Sequence, residues 1–145
     1  MKREILFRGK RFDNGEWITG LMLKCTLYAG TAYLIFGDSF ATDLLGNVHA
    51  LSHAMVDPDT VGQYTGLKDK NGVKIFEGDI VRFKLFDDVL EAETGEGHYN
   101  IVVTVEWISG EWITSEGPLY DIEHFGLEVI GNIYDNPELI QAEGS

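Results

Sequence analysis

A serine at the end of an apolar stretch, followed much later by an acid and a histidine three positions apart, could do acyl-transfer chemistry. The serine is Ser39, in Leu34-Ile35-Phe36-Gly37-Asp38-Ser39; the pair is Asp121 and His124, in Asp121-Ile122-Glu123-His124. A serine hydroxyl becomes a nucleophile only when a base takes its proton, and that base needs a carboxylate to orient it. A second constellation is His49 and His53, four apart, which on one face of a helix could hold zinc. A third is the acidic run Asp87, Asp88, Glu91, Glu93 and Glu96, whose charge invites calcium or magnesium.

Each has a plainer reading. The serine segment resembles the opening block of the GDSL hydrolases, but that resemblance implies a layered α/β fold with several long helices, and helix signals are scarce here. Nor are there further blocks to build an oxyanion hole, and a triad is recognised by geometry rather than by short strings. Zinc proteases place a glutamate after the first histidine, where this chain has Ala50, and Asp57 precedes Pro58 in a turn. The acidic run lacks the ligand spacing of an EF-hand and reads as a solvated loop. No phosphate-cradling glycine loop with its lysine is present. The single cysteine, Cys25, can form no internal disulfide or thiolate cage and reads as a small, partly buried apolar side chain. The sequence therefore assigns no catalytic residue, no metal ligand and no cofactor.

The elements that must position any site are mostly strands. Seventeen glycines and three prolines cut the 145 residues into short pieces rich in Ile, Val, Phe, Tyr, Trp and Thr, which is strand grammar. Glu4–Phe12 and Glu16–Leu23 flank Asn14-Gly15, a pair that accepts positive φ at both turn positions and predicts a β-hairpin. Thr31–Gly37 predicts a strand and Asp38–Asn47 a polar excursion. Val61–Thr65 predicts a strand, Lys68–Gly72 a tight turn, and Ile80–Phe86 an alternating strand with Arg82 and Lys84 outward. Ile101–Ile108 and Glu111–Thr114 predict a second hairpin about Ser109-Gly110. Leu127–Tyr134 predicts a last strand, and Asn136 before Pro137 predicts the N-cap of a short helix; a short piece near Asp121 also has helical character. Gly15-Glu16-Trp17-Ile18-Thr19 recurs as Gly110-Glu111-Trp112-Ile113-Thr114, an echo too short to mark a repeated domain.

Charge divides the chain. Residues 1–72 are neutral, with eight acids and eight bases. Residues 73–145 hold 16 acids against Lys74, Arg82 and Lys84 and carry the whole net charge of −13; 13 of those acids fall between Glu77 and Glu128. Such a surface repels phosphate backbones and disfavours nucleic acid. It favours a basic protein partner, or serves solubility alone. No stretch approaches the ~20 apolar residues of a membrane span, and Met1-Lys2-Arg3-Glu4-Ile5 lacks the apolar core of a signal peptide, so no membrane is implied and the expected compartment is the cytosol.

Three segments carry a family resemblance. Val61–Val81 contains Gln63-Tyr64-Thr65-Gly66-Leu67, the turn Lys68-Asp69-Lys70-Asn71-Gly72, and Glu77-Gly78-Asp79-Ile80-Val81. Leu127–Leu139 and Phe7–Trp17 supply the other two. Together they resemble the YopX family of phage and prophage proteins. The resemblance implies a mostly β fold with an SH3-like small barrel in the C-terminal part, and a bacterial host cytosol as the setting. It brings no catalytic residues. The residues of the central segment read first as structure: Asn71-Gly72 and Gly78-Asp79 as turns, Asp79 as a cap on backbone amides, and Ile75, Phe76, Ile80 and Val81 as core. The same segment offers a binding surface at Gln63, Tyr64, Asp69, Asn71 and Glu77.

The expected architecture is a hairpin-rich part over residues 1–60, an SH3-like barrel over 61–140 with a short C-terminal helix, and a frayed tail at 141–145. The expected role is that of a phage or prophage accessory protein that binds a basic host or phage protein, with self-association also open. Against this stand a small hydrolase or metal-dependent enzyme and a single-stranded nucleic-acid binder.

Overall fold

The computed structural model describes residues 4–37, 40–50, 52–86, 92–93, 95 and 97–143. Asp38 and Ser39 of the serine constellation lie outside the described residues, as do Asp87, Asp88, Glu91 and Glu96 of the acidic run. The chain is mostly β, in several antiparallel sheets, and separates into two compact units, Met1–Tyr64 and Thr65–Ser145.

In the first unit, β1 (Phe7–Lys10), β2 (Trp17–Leu27), β3 (Gly30–Phe36) and β6 (His53–Val56) form one antiparallel sheet in the order β6-β3-β2-β1. β7 (Gly62–Lys68) begins in this unit, pairing Gly62 and Gln63 with Arg8 and Phe7 of β1. The alternation of β-strands sends Ile18, Ile35, Ala54 and Val56 to one side, where they form the core with Phe7, Met22, Tyr33 and Val61 at its margin. Arg8 and Lys10 share the other side, and both cations stand over the Trp17 ring, at 4.8 and 5.6 Å from its centroid. At Gly20 the backbone of β2 lies tight against the end of β3: a Cβ there would sit 1.8 Å from the Phe36 carbonyl oxygen.

Two sequence expectations need correction here. The Asn14-Gly15 hairpin exists, but its turn does not have positive φ at both residues; only Gly15 does, at 72°. The loop is longer than two residues, closed by Arg11 N–H to Glu16 O at 2.9 Å and Gly15 N–H to Arg11 O at 3.0 Å. Asn14 stays out of the left-handed region because its Oδ1 accepts from Glu16 N–H, and Arg11 clamps Asp13 through two bonds of 2.9 and 2.7 Å. The two-residue turn with both φ positive occurs instead at Ser109-Gly110, with φ of 53° and 87°.

The second correction concerns Asp38–Asn47. Within it Phe40–Thr42 is a strand, β4, which pairs with β5 (Val48–Ala50) just beyond to make a hairpin. Asp43 closes it: Oδ1 accepts from the amides of Leu45 and Asn47, and Oδ2 from the Asn47 side chain and the His49 ring at 3.0 Å. The His49 and Asn47 side chains lead a set of bonds that holds this carboxyl down at about 2. His49 lies on β5 and His53 on β6, so no helix pairs them, and no group of three metal-binding side chains occurs among the described residues.

In the second unit, the rest of β7 lies beside β8 (Lys74–Phe76). β9 (Asp79–Phe86) is the middle of a three-stranded sheet, flanked by β10 (His98–Thr104) and β14 (Glu128–Asn132). β11 (Glu106–Ile108), β12 (Glu111–Thr114) and β13 (Gly117–Pro118) form another. A one-turn helix α1 (Leu119–Ile122) leads into a 3-10 turn (Glu123–Phe125), and α2 (Glu138–Glu143) follows β14. Ile75, Val81, Phe83, Val103, Val105, Leu119, Ile122 and Leu127 make the core. β9 alternates less cleanly than its sequence suggests, because Asp79, Ile80 and Val81 are buried in succession. β14 carries a bulge at Ile130, since Val129 faces Val81 and Gly131 already faces Ile80. Among the described residues the ladders do not close into a barrel.

Asn136 does not cap α2 with its side chain. Its Oδ1 reaches back to Asn132 N–H at 3.2 Å and packs against Gly131, where a Cβ would meet that oxygen at 2.5 Å. α2 runs to Glu143, into the stretch expected to fray. No helix among the described residues is long and apolar enough to cross a membrane.

Candidate functional site

The central segment works first as a scaffold. Asp69, 7% exposed, takes Asn71 and Val73 N–H on Oδ1, both at 2.9 Å, and Val129 N–H on Oδ2 at 3.0 Å. One carboxylate thus forms the Lys68–Gly72 turn and ties it to the start of β14. Burial pushes its pKa up, but the three amides and Lys70 outweigh burial and leave it below the usual carboxylate value. Asn71 is exposed in the same turn. Thr65 Oγ1 donates to Ile75 O at 2.7 Å and holds β7 to β8.

Asp79, 1% exposed, accepts Phe76 N–H on Oδ2 at 2.7 Å, the amide cap its sequence predicts. It locks the Glu77-Gly78 turn, where Gly78 has φ of 88°. Gly78 N–H then donates to Val105 O at 2.8 Å, and Gly78 O accepts from Ile133 N–H at 2.9 Å. This single turn therefore gathers two distant segments: the junction of β10 and β11, and the chain after β14. Asn132 Oδ1 accepts from the amides of Tyr134 and Asp135 and sets the position of Tyr134.

The result is a groove of about 400 Å3 lined by Glu77, Glu106, Trp107, Ile108, Ile133 and Tyr134, with the backbone of Gly78 and Val105. Trp107 is 48% exposed and packs its edge on Trp112, with ring centroids 4.5 Å apart. Among the described residues no lysine, arginine or histidine lines this groove. It combines an aromatic, apolar wall with two carboxylates, which suits a cation on an aliphatic stem: such a group can lie over an indole or phenol face while its charge meets the acids.

The five residues singled out from sequence are not all placed alike. Gln63, half-buried, and Tyr64, 5% exposed with its N–H on Leu6 O at 2.8 Å, belong to the first unit. Asp69, Asn71 and Glu77 belong to the second, and Glu77 lines the groove. Sequence reasoning missed Glu106, Trp107, Ile108 and Tyr134. One signal was present: Glu106-Trp107-Ile108 immediately precedes a two-residue turn, so the strand has room for little more than a hairpin tip, where large side chains are hard to bury. Asp121 and His124 of the serine constellation are both exposed, and the His124 ring contacts Phe125 at 4.0 Å. Cys25 is half-buried, with Sγ 3.7 Å from Ala32 O.

A crystal structure of protein EF1440 from Enterococcus faecalis matches with a TM-score of 0.64 at 24% identity, over 96% of this chain and 99% of that one; the likeness is one of fold. No curated protein matches. The family described as YopX protein matches residues 7–141, nearly the whole length and well beyond the three segments that first suggested it. The chain belongs to the YopX family.

Proposed function

We propose that this chain is a phage or prophage accessory protein of the bacterial cytosol that acts by binding another protein, and that the groove beside Trp107 takes an extended, positively charged segment of that partner. The observation that carries the reading is a half-exposed tryptophan in a groove whose charged lining groups, among the described residues, are Glu77 and Glu106. Exposed aromatic anchors dominate binding energy, and aromatic-lined grooves on small β domains are a recurring way to hold extended peptides. An SH3-like arrangement of the second unit is part of this proposal: three sheets of short strands share one core, and the bulge at Ile130 gives β14 the bend that curling strands need. The net charge of −13 steers a basic partner toward the chain.

The test uses a labelled Lys- and Arg-rich peptide, a Glu-rich control, and capture of partners from host lysate. The basic peptide is expected to bind, and its affinity to fall steeply as salt rises from about 50 to about 300 mM, because screening shortens the field. Trp107→Ala should weaken binding at least about tenfold. Being half-exposed, Trp107 should cost only about 1 kcal/mol of stability when truncated, not the 3–5 of a buried ring. Glu77→Gln with Glu106→Gln should mainly slow association. Equal binding of both peptides, or binding indifferent to Trp107, would refute the groove as the docking site.

A further inference from the structure

The second unit is acidic, yet it has one basic hollow. Its only lysines and arginines are Lys68, Lys70, Lys74, Arg82 and Lys84. Three of the five, Lys70, Arg82 and Lys84, line a single cavity of about 480 Å3. The sheet brings these three together in a unit that holds 17 acids.

The strand register explains how they meet. Arg82, Lys84 and Phe86 alternate along β9, so they share one side of the sheet. Asn100 on β10 stands opposite Lys84, and Glu128 on β14 stands opposite Arg82. Glu128 accepts from Arg82 Nη2 at 2.9 Å and lies 3.7 Å from Lys70 Nζ. The arginine bond, ahead of the two neighbouring positive charges, holds this carboxyl below its usual value. Glu128 therefore stays ionised and offsets one cation, leaving two. Among the described residues no carboxylate pairs with Lys84.

The cavity also has rings. Phe125 is stacked on Phe83 at 5.4 Å and 16°, and keeps more than a third of its surface exposed. Phe86 is 75% exposed. Gly126 follows in the left-handed conformation, with φ of 80°, leaving backbone rather than a side chain beside the rings.

We infer that this cavity binds a small dianion carrying a flat ring, with a nucleoside monophosphate as the ligand class it fits. Lys84 meets the phosphate, with Lys70 and the remaining donors of Arg82 beside it, and the phosphate's charge at neutral pH is near the balance left by the three cations and Glu128. Phe125 and Phe86 give the base a stacking surface, which tolerates any base because every base has a π face. Asn100 offers an amide to the sugar or base edge. The volume suits a ligand of this size. Net charge sets the upper limit: a polynucleotide would bring many further phosphates to a chain of net charge −13, whereas a single phosphate feels mainly the charges within about a Debye length.

The test is calorimetric or NMR titration of the full chain with AMP, GMP, CMP and UMP, with adenosine, inorganic phosphate and a short oligonucleotide as comparators. Monophosphates are expected to bind saturably, adenosine and the oligonucleotide more weakly. Lys84→Gln, an exposed substitution that leaves the Arg82–Glu128 pair intact, should weaken monophosphate binding about tenfold. Phe125→Ala with Phe86→Ala should weaken nucleotide binding while leaving that of inorganic phosphate unchanged. Three results would overturn the inference: no saturable binding at millimolar monophosphate, adenosine binding as tightly as AMP, or Lys84→Gln without effect. Tighter binding of the oligonucleotide than of monophosphates would overturn it in favour of a strand-binding surface.

Discussion

Gly20→Ala is expected to destabilise the first unit by about 3 kcal/mol or more. The added Cβ would lie 1.8 Å from the Phe36 carbonyl oxygen and 2.7 Å from its carbonyl carbon. Both are backbone atoms of the adjoining strand, so no rotamer change relieves the overlap, and β2 and β3 must separate locally. Forced insertion into a packed site ordinarily costs 1–3 kcal/mol, and a rigid backbone clash belongs at or beyond the upper end. Urea unfolding should show the loss, and amide exchange should place it in β1 to β3. The neighbouring exposed position supplies the control: Thr19→Ala should change stability by about 0.5 kcal/mol or less. If Gly20→Ala is as mild as Thr19→Ala, the close approach of the strands is wrong.

Asp69→Ala is expected to cost about 3 kcal/mol and to remove a pH dependence. Three backbone amides lose their acceptor at once, and bonds to a charged acceptor contribute about 1.5–3 kcal/mol each where water cannot replace them. Solvent can reach the exposed Asn71 end of the turn, so the full sum is not expected. Asp69→Asn should be intermediate, since Oδ1 can still accept while an amide nitrogen replaces the oxygen that receives Val129 N–H. The sign with pH follows from the lowered carboxyl. A group whose folded pKa lies below its unfolded value of 3.8 contributes stability that is present above that value and lost as pH falls through the folded one. Wild type should therefore lose stability below about pH 4 more steeply than Asp69→Ala, measured as urea midpoints over pH 2–6. Parallel profiles would show that Asp69 titrates alike in both states and does not hold the turn.

These two residues mark what could and could not be seen in the sequence. Asp69 stands in a string of turn residues, so its role with Asn71 and Val73 was legible from spacing; its bond to Val129, far along the chain, was not, because no local pattern announces a long-range acceptor. Gly20 gave no sign at all: in a strand, a glycine marks either a weak spot or a close approach, and only the neighbouring backbone decides. The strands themselves were legible from composition and alternation. Where alternation failed, as at Asp79-Ile80-Val81, the cause is a strand end buried on both sides. The Asn14-Gly15 turn was misjudged because side-chain bonds from Asn14 and Asp13 competed with the backbone preference. Of the groove, only Glu77 was named from sequence; Trp107 and Tyr134 reach it through the Gly78 bonds to Val105 and Ile133, which no spacing encodes. The basic cavity was partly legible, since alternation alone puts Arg82 and Lys84 on one face, but Lys70 joins them only through Glu128 and the pairing of β9 with β14.

That pairing has a consequence for how the molecule is made. β9 is sandwiched between β10, which follows it closely in the chain, and β14, which arrives much later. A ribosome delivers β9 and β10 together, but the other edge of β9 stays open until β14 has emerged. During that interval Ile80, Val81 and Arg82 present unpaired amides and carbonyls beside apolar side chains, the condition under which strands of different molecules join. The register of the missing strand is pinned by the bulge at Ile130, so the open edge is selective for one sequence. A chain ending before Leu127 should aggregate on release, and a separate peptide spanning Leu127–Leu139 should rescue it by filling the vacant edge. The last strand of this protein is in that sense a detachable part, one that a second polypeptide could supply.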